Sequence, residues 1–421
     1  MFGMENIILL IYKICNMNAN FRANFPVLNR EKNNQPLIFL DGPAGTQVPH
    51  QVIEAISQYY MQSNANTHGT FLTSMETDEI MESTRGHVAT FLGAEGPDTI
   101  SFGQNMTTLN FSLSRAIGKH LQPGDEILIT QLDHESNRGP WLALREKGII
   151  VREVKIRMDA VIDYEDLASK INEKTKLVAM GAAANLTGTI NDISLVRRLT
   201  HQVGAWLLID AVHYAPHFPI DVISWGCDFL LCSAYKFYGP HVGILYSRPG
   251  LLDQLPTYRL RTAGQQAPES IETGTLNHAA IAGVRAAIKF IAEIGSGNNL
   301  RQKLFNALTD IHQHEINLAK KLYYGLSDFK EIELIGPSID QPMRAPTIAL
   351  AVEGMRPEHF CKKLAQHNIF GWDGHFYALR GIEVLGLLED GGVTRLGISA
   401  YTVEEEIDKT LAIIKEEILI K

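Results

Sequence analysis

The sequence predicts an α/β protein, with a large domain on a mostly parallel, doubly covered β-sheet and a smaller C-terminal α+β domain. Three observations carry this reading. Short apolar, β-rich runs alternate with helical patterns over the first two thirds of the chain. Those runs are continuously apolar rather than alternating, as strands buried on both faces must be. Past a long helical stretch the pattern changes to short strands with helix signals between them, as in an α+β unit. At 421 residues, 45% hydrophobic and 20% charged, the chain is long and apolar enough to fill both cores.

Taken in order, the first apolar run is Ile7-Ile-Leu-Leu-Ile-Tyr12, too short to span a bilayer and without a basic region before it. It is read neither as a membrane anchor nor as a secretory signal. Met17 follows, and Phe25-Pro-Val-Leu28 already reads as domain sequence. Residues before Met17 are therefore expected to be a disordered or wrongly assigned extension, within an N-terminal arm covering residues 1–38. The large domain is expected over residues 39–300. Its strands are Thr99-Ile-Ser-Phe102, Glu126-Ile-Leu-Ile-Thr130, Ile149-Ile-Val-Arg-Glu-Val154, Leu177-Val-Ala-Met180, Trp206-Leu-Leu-Ile-Asp210, Phe229-Leu-Leu-Cys-Ser233 and Val242-Gly-Ile-Leu-Tyr246. One long helical stretch is expected over about residues 275–325. The small domain, residues 301–421, opens with Ile332-Glu-Leu-Ile335 and Thr347-Ile-Ala-Leu-Ala-Val352, and a helix is expected from Val403. No internal repeat or low-complexity linker separates the domains, so they should pack closely.

The net charge of −9 provides no extended basic field, so nucleic acid is excluded as the expected partner and small-molecule chemistry is favoured. Cys15, Cys227, Cys232 and Cys361 form no CxxC pair or dense framework. A reducing, cytoplasmic setting fits, and no metal site is implied.

Two residues stand out. Asp210 closes one apolar run, and Lys236 follows another in Ser233-Ala-Tyr-Lys236. Both fall at carboxyl ends of expected strands, where open α/β sheets place their ligand crevices. Pyridoxal phosphate chemistry needs such a pair: a lysine amine to form the Schiff base with the cofactor aldehyde, and an acid to keep the pyridine nitrogen protonated. Taken singly, the acid reads as a helix cap and the lysine as a solvated side chain; the combination selects the cofactor site.

Further motifs follow in a specific order: Phe39-Leu-Asp-Gly-Pro-Ala-Gly45, Asp133-His134-Glu-Ser-Asn137, Ala184-Asn185-Leu-Thr-Gly188, Asp210-Ala-Val-His213, Ser233-Ala-Tyr-Lys236-Phe-Tyr-Gly-Pro240 and Glu272-Thr-Gly-Thr275. From Phe39 to the C-terminus the chain resembles the class V aminotransferase superfamily, and most of all its cysteine desulfurase branch. The resemblance implies a fold-type I pyridoxal phosphate enzyme, a homodimer with shared active sites, and an amino acid as substrate. It implies that His134 stacks on the pyridine ring and that Asn185 donates to the cofactor's phenolic oxygen. His213 and Ser233 would complete the phosphate shell, and Thr275 would reach the phosphate from the partner subunit. Arg395, in Thr394-Arg-Leu-Gly-Ile-Ser399, would grip the substrate α-carboxylate, a task its planar fork suits.

Gly103-Gln-Asn-Met-Thr107 leaves a strand and opens a helix, so its backbone N–H groups at Asn105 and Met106 are the main candidate phosphate cradle. Asn105 is equally suited to capping that helix. The match is weaker here, because similar enzymes often carry Gly-Thr-Thr. The larger departure is Gly371-Trp-Asp-Gly-His-Phe-Tyr377-Ala, where Tyr377 occupies the position of the branch's sulfur-accepting cysteine and Trp372 that of a second substrate-binding arginine. Cys361, the nearest cysteine, belongs to a helical pattern and is read as structural. The expected activity is thus action on an amino acid through Lys236, by transamination or Cβ elimination. The alternatives are a desulfurase or selenocysteine lyase-type enzyme that forms no protein persulfide, and a non-catalytic cofactor-binding protein. No GxGxxG follows the first strand, so a dinucleotide enzyme is excluded.

Overall fold

The computed structural model describes residues 21–419. The large sheet has seven strands: β1 (Ile100–Gly103), β2 (Glu126–Thr130), β3 (Ile150–Val154), β4 (Thr175–Gly181), β5 (Trp206–Asp210), β6 (Phe229–Ser233) and β7 (Gly243–Ser247). Their spatial order is β1-β7-β6-β5-β4-β2-β3. Only β7 runs against its neighbours; the other pairings are parallel.

Both faces of this sheet are covered, which is why its strands read as unbroken apolar runs. Leu128, Val178, Met180, Leu207, Ile209, Leu230 and Ile244 join one apolar cluster. Their strand neighbours Ile127, Ile129, Leu177, Ala179, Leu208, Phe229, Leu231 and Leu245 join another. This period of two is the pleat sending successive side chains to opposite faces.

The helical stretch expected over residues 275–325 is two helices, His278–Ile294 and Leu300–Ser327. The chain folds back so tightly between them that a Cβ on Gly295 would lie 2.0 Å from the carbonyl oxygen of Lys303. Asn299 then restarts the helix by accepting from the N–H of Gln302 at 2.9 Å.

The small sheet contains β8 (Ile332–Ile335), β9 (Thr347–Val352), β10 (Trp372–Gly374) and β11 (Val393–Gly397), antiparallel throughout in the order β8-β9-β11-β10. Leu318, Leu322 and Leu326 of the long helix share its core with Ile348, Leu350, Phe360 and Leu396.

The N-terminal residues that are described are packed rather than free. Phe21 stacks on Phe290 with ring centroids 5.0 Å apart, and both Phe21 and Phe25 belong to the large-domain core. Ile38–Phe39 pairs in parallel with Ile369–Phe370. The segment before Met17 lies outside the described residues. Among the described residues no helix is long and apolar enough to cross a membrane.

Candidate active site

Strands β4, β5 and β6 end side by side at Gly181, Asp210 and Ser233, and the loop after β2 brings Asp133 and His134 to the same edge. Together with the first turn of the helix Met106–His120 they line one cleft. The parallel sheet thus directs three carboxyl ends into one crevice.

Asp210 is 8% exposed and its Oδ1 accepts from the N–H of Val212 at 2.9 Å. Burial pushes its carboxyl up to about 7; the Val212 N–H opposes this, Asp133 adds to it, and Lys236 again opposes. Lys236 stands in the short turn Ala234–Lys236, and its Nζ donates to the carbonyl of Pro43 in the Asp41–Gly45 loop. Burial pulls the amine down to about 7, assisted by the positive charge of Arg395 and opposed by Asp210. An amine in this range is available as a nucleophile near neutral pH.

His134 is held by its own loop. Its Nδ1 accepts from the N–H of Ser136 at 3.1 Å and lies 2.7 Å from the Ser136 hydroxyl, which assigns the ring proton to Nε2. Burial lowers its pKa to about 4, with Lys236 and Arg395 adding, so the ring is neutral at pH 7.

Of the residues expected to hold the phosphate, Asn105, Met106, His213 and Ser233 line the cleft together. Asn105 caps the helix Met106–His120, accepting from the N–H of Thr108 at 2.9 Å in a capping box, yet it still lines the cleft. The N–H of Met106 donates to the Ser233 hydroxyl at 3.2 Å. A Cβ on Gly243 would lie 2.3 Å from the carbonyl carbon of Asn105, so only glycine lets β7 approach this closely. His213 is 3% exposed; its Nε2 is 3.0 Å from the Thr347 hydroxyl, and its Nδ1 has no partner.

Asn185 lines the cleft, but its side-chain amide donates to the carbonyl of Phe376 at 2.9 Å, which leaves one N–H for any ligand. Arg395 is 3% exposed, donates from Nη1 to the Asn185 carbonyl at 2.8 Å, and leaves its Nε without a partner. Burial lowers its pKa to about 9, still high enough to keep it charged. Neither Arg395 nor Thr275 lines the cleft itself: Arg395 stands behind Asn185, and Thr275 lines a separate cavity with Gly103, Gln104, Thr108 and Asn277.

The segment 371–378, strand β10 and the loop after it, flanks the cleft as its rim and touches the lining residues Asn185 and His134. Phe376 and Tyr377 have φ of 51° and 58°, a left-handed conformation uncommon for non-glycine residues. The Tyr377 carbonyl accepts from the Glu135 N–H at 2.7 Å, and the Tyr377 ring lies 5.3 Å from that of His134. Trp372 is 50% exposed on β10. Cys227, Cys232 and Cys361 are buried and line no part of the cleft. Cys361 sits 3.9 Å from the Thr394 hydroxyl, and burial raises its pKa to about 12.

The sequence pattern does not single out Asp133, Thr107 or Tyr235, which also line the cleft. Asp133 is the most constrained: it accepts from Gly181 N–H at 2.6 Å and from the Thr130 hydroxyl at 2.7 Å, tying β2 to β4. The Thr-x-x-Asp spacing is a weak local signal for it.

The donor set fits pyridoxal phosphate. A buried amine and a buried acid share one cleft with a neutral imidazole, the Ser233 hydroxyl at a helix start, and an unpartnered histidine nitrogen.

Comparison with known proteins agrees. Residues 38–410 match the family described as aminotransferase class-V. A probable cysteine desulfurase of Synechocystis sp. is 31% identical over 408 residues, 95% of either chain. A cysteine desulfurase of Yersinia pseudotuberculosis is 30% identical, covering 93% of this chain and 96% of the other. Among solved structures, the apo cysteine desulfurase of Thermococcus onnurineus NA1 superposes with a TM-score of 0.85 at 27% identity, covering 94% of this chain and 97% of that one. The Escherichia coli cysteine desulfurase CsdA, in an S-sulfonic acid form, gives 0.83 at 25% identity, covering 96% and 99%. The chain therefore belongs to the class V aminotransferase family and is a pyridoxal-phosphate-dependent enzyme on the fold-type I scaffold.

Proposed function

We propose that this enzyme acts on the Cα of an amino acid, by transamination or Cβ elimination, without forming a persulfide on its own chain. The observation that carries the proposal is the buried Lys236–Asp210 pair in a cleft that no described cysteine lines. When bound, pyridoxal phosphate supplies an electron sink for the bond broken at Cα.

Lys236 would hold the cofactor through Nζ, and the same amine, near pKa 7, is suited to take a proton from Cα of the substrate. Asp210 would hold a proton on the ring nitrogen of the bound cofactor. His134, in its neutral form, would cover the ring, and Asn185 would offer its remaining N–H to the phenolic oxygen. The helix start at Asn105 and Met106, with Ser233 and His213, would hold the phosphate. Thr275, turned to a separate cavity, serves the partner subunit's site in a homodimer. Arg395 binds the substrate α-carboxylate through the N–H groups that Asn185 leaves free.

The relatives named as cysteine desulfurases favour a second reading, release of sulfur directly to a small thiol or a partner. Tyr377, which cannot hold a persulfide, requires the same absence of a protein-bound intermediate. Incubation of the holoenzyme with cysteine and no added thiol, followed by mass spectrometry, separates these readings from persulfide chemistry. The expected result is an unmodified chain. Keto acid formed only with an amino acceptor indicates transamination, and pyruvate formed without one indicates Cβ elimination. Stoichiometric persulfide on Cys361 would overturn the proposal.

A further inference from the structure

We infer that Phe376 is a positioning residue for Arg395, holding the guanidinium plane so that its free N–H groups meet the substrate α-carboxylate. The inference rests on the assignment of Arg395 to that carboxylate and adds the group that orients it.

Arg395 comes from the buried strand β11, while Phe376 comes from the loop after β10. The guanidinium carbon lies 4.0 Å from the centroid of the Phe376 ring, within the range of a stacked cation. One residue ties the two together. The Asn185 carbonyl accepts from Arg395 Nη1 at 2.8 Å, and the Asn185 amide donates to the Phe376 carbonyl at 2.9 Å. The guanidinium is therefore fixed at one edge by a hydrogen bond and on one face by a ring, and its Nε remains unpartnered although Arg395 is only 3% exposed.

The backbone points the same way. Phe376 and the following Tyr377 both adopt left-handed φ, at 51° and 58°. Conformations of this kind in non-glycine residues persist where surrounding contacts hold them, and they cluster at ligand clamps. Here the holding contacts are Asn185 to the Phe376 carbonyl and the Glu135 N–H to the Tyr377 carbonyl at 2.7 Å. An unstacked arginine has many rotamers and must lose that freedom when a carboxylate arrives; a stacked one has lost it beforehand.

The test is equilibrium binding to the holoenzyme of two probes that differ only in the carboxylate, L-alanine and ethylamine, for wild type, Phe376→Ala, Phe376→Leu, Phe376→Tyr and Arg395→Ala. Phe376→Ala should weaken L-alanine about tenfold, the scale of one stacked cation, and leave ethylamine and cofactor content unchanged. Phe376→Leu keeps apolar bulk without a π face and should behave like Phe376→Ala, whereas Phe376→Tyr should restore binding. In steady state the loss should fall on KM rather than kcat. If the Phe376 variants bind L-alanine as wild type does while Arg395→Ala does not, the inference fails and the carboxylate assignment stands. If Arg395→Ala itself keeps full affinity, the assignment fails and the inference with it. Equal weakening of ethylamine and L-alanine would make Phe376 merely structural and also overturn it.

Discussion

The floor of the cleft, at the ends of β4, β5 and β6, holds Asp210, Ser233 and Lys236 at no more than 8% exposure. The rim contains Trp372 at 50% and Tyr377 at 67%. The floor is built from paired strands whose neighbours fix each side chain, down to the Asp133 bonds that join β2 to β4. Trp372 is paired in the small sheet, but the rest of the rim is the loop after β10, held by a few long-range hydrogen bonds and two left-handed residues. Substitutions on such a loop leave the sheet register untouched, so the substrate side can be rebuilt while the cofactor side is kept.

If the floor does the chemistry, its substitutions should cost most. Lys236→Ala should remove turnover by on the order of 10³-fold or more, as loss of a covalent group does; steady-state assay on the best substrate reads it. Residual activity within about tenfold of wild type would place the chemistry elsewhere. Asp210→Asn should keep some cofactor and lose about 100-fold in turnover, because an amide cannot hold a ring proton by charge. Near-normal turnover in a folded variant would reduce Asp210 to a cap for Val212.

The burial that distinguishes the floor also has a signature in stability. Lys236 is pulled from 10.5 to about 7, so between these values the unfolded apoprotein binds more protons than the folded one. The wild-type penalty is full at and below about pH 7 and fades as pH rises toward 10.5. Lys236→Met should therefore stabilise the apoprotein most at or below neutral pH, with the gain vanishing at high pH; urea titrations across this window check it. A gain independent of pH would mean that the amine is not desolvated. The smallest expected effect is at the cap: Asn105→Ala should cost about 1 kcal/mol in the same titrations.

What the sequence made legible follows the same division. Asp210 and Lys236 were readable because each closes or follows an unbroken apolar run, and a parallel sheet turns such positions toward one crevice. The stacking of Phe376 on Arg395 was not readable. Its contact with Asn185 spans 191 residues, and nothing in a non-glycine residue type announces a left-handed φ. The amide of Asn185 was expected to face the cofactor, and half of its donors serve the rim instead. The single helical stretch breaks at Gly295-Ser-Gly-Asn-Asn299, a run of poor helix formers, and the close approach to Lys303 leaves room only for glycine at position 295.

The most direct test of the central claim is to reduce the holoenzyme with borohydride and map the labelled peptide. The cofactor should be trapped on Lys236, in the peptide containing Ser233-Ala-Tyr-Lys236. A label on any other lysine, or none after the cofactor is supplied, would contradict it.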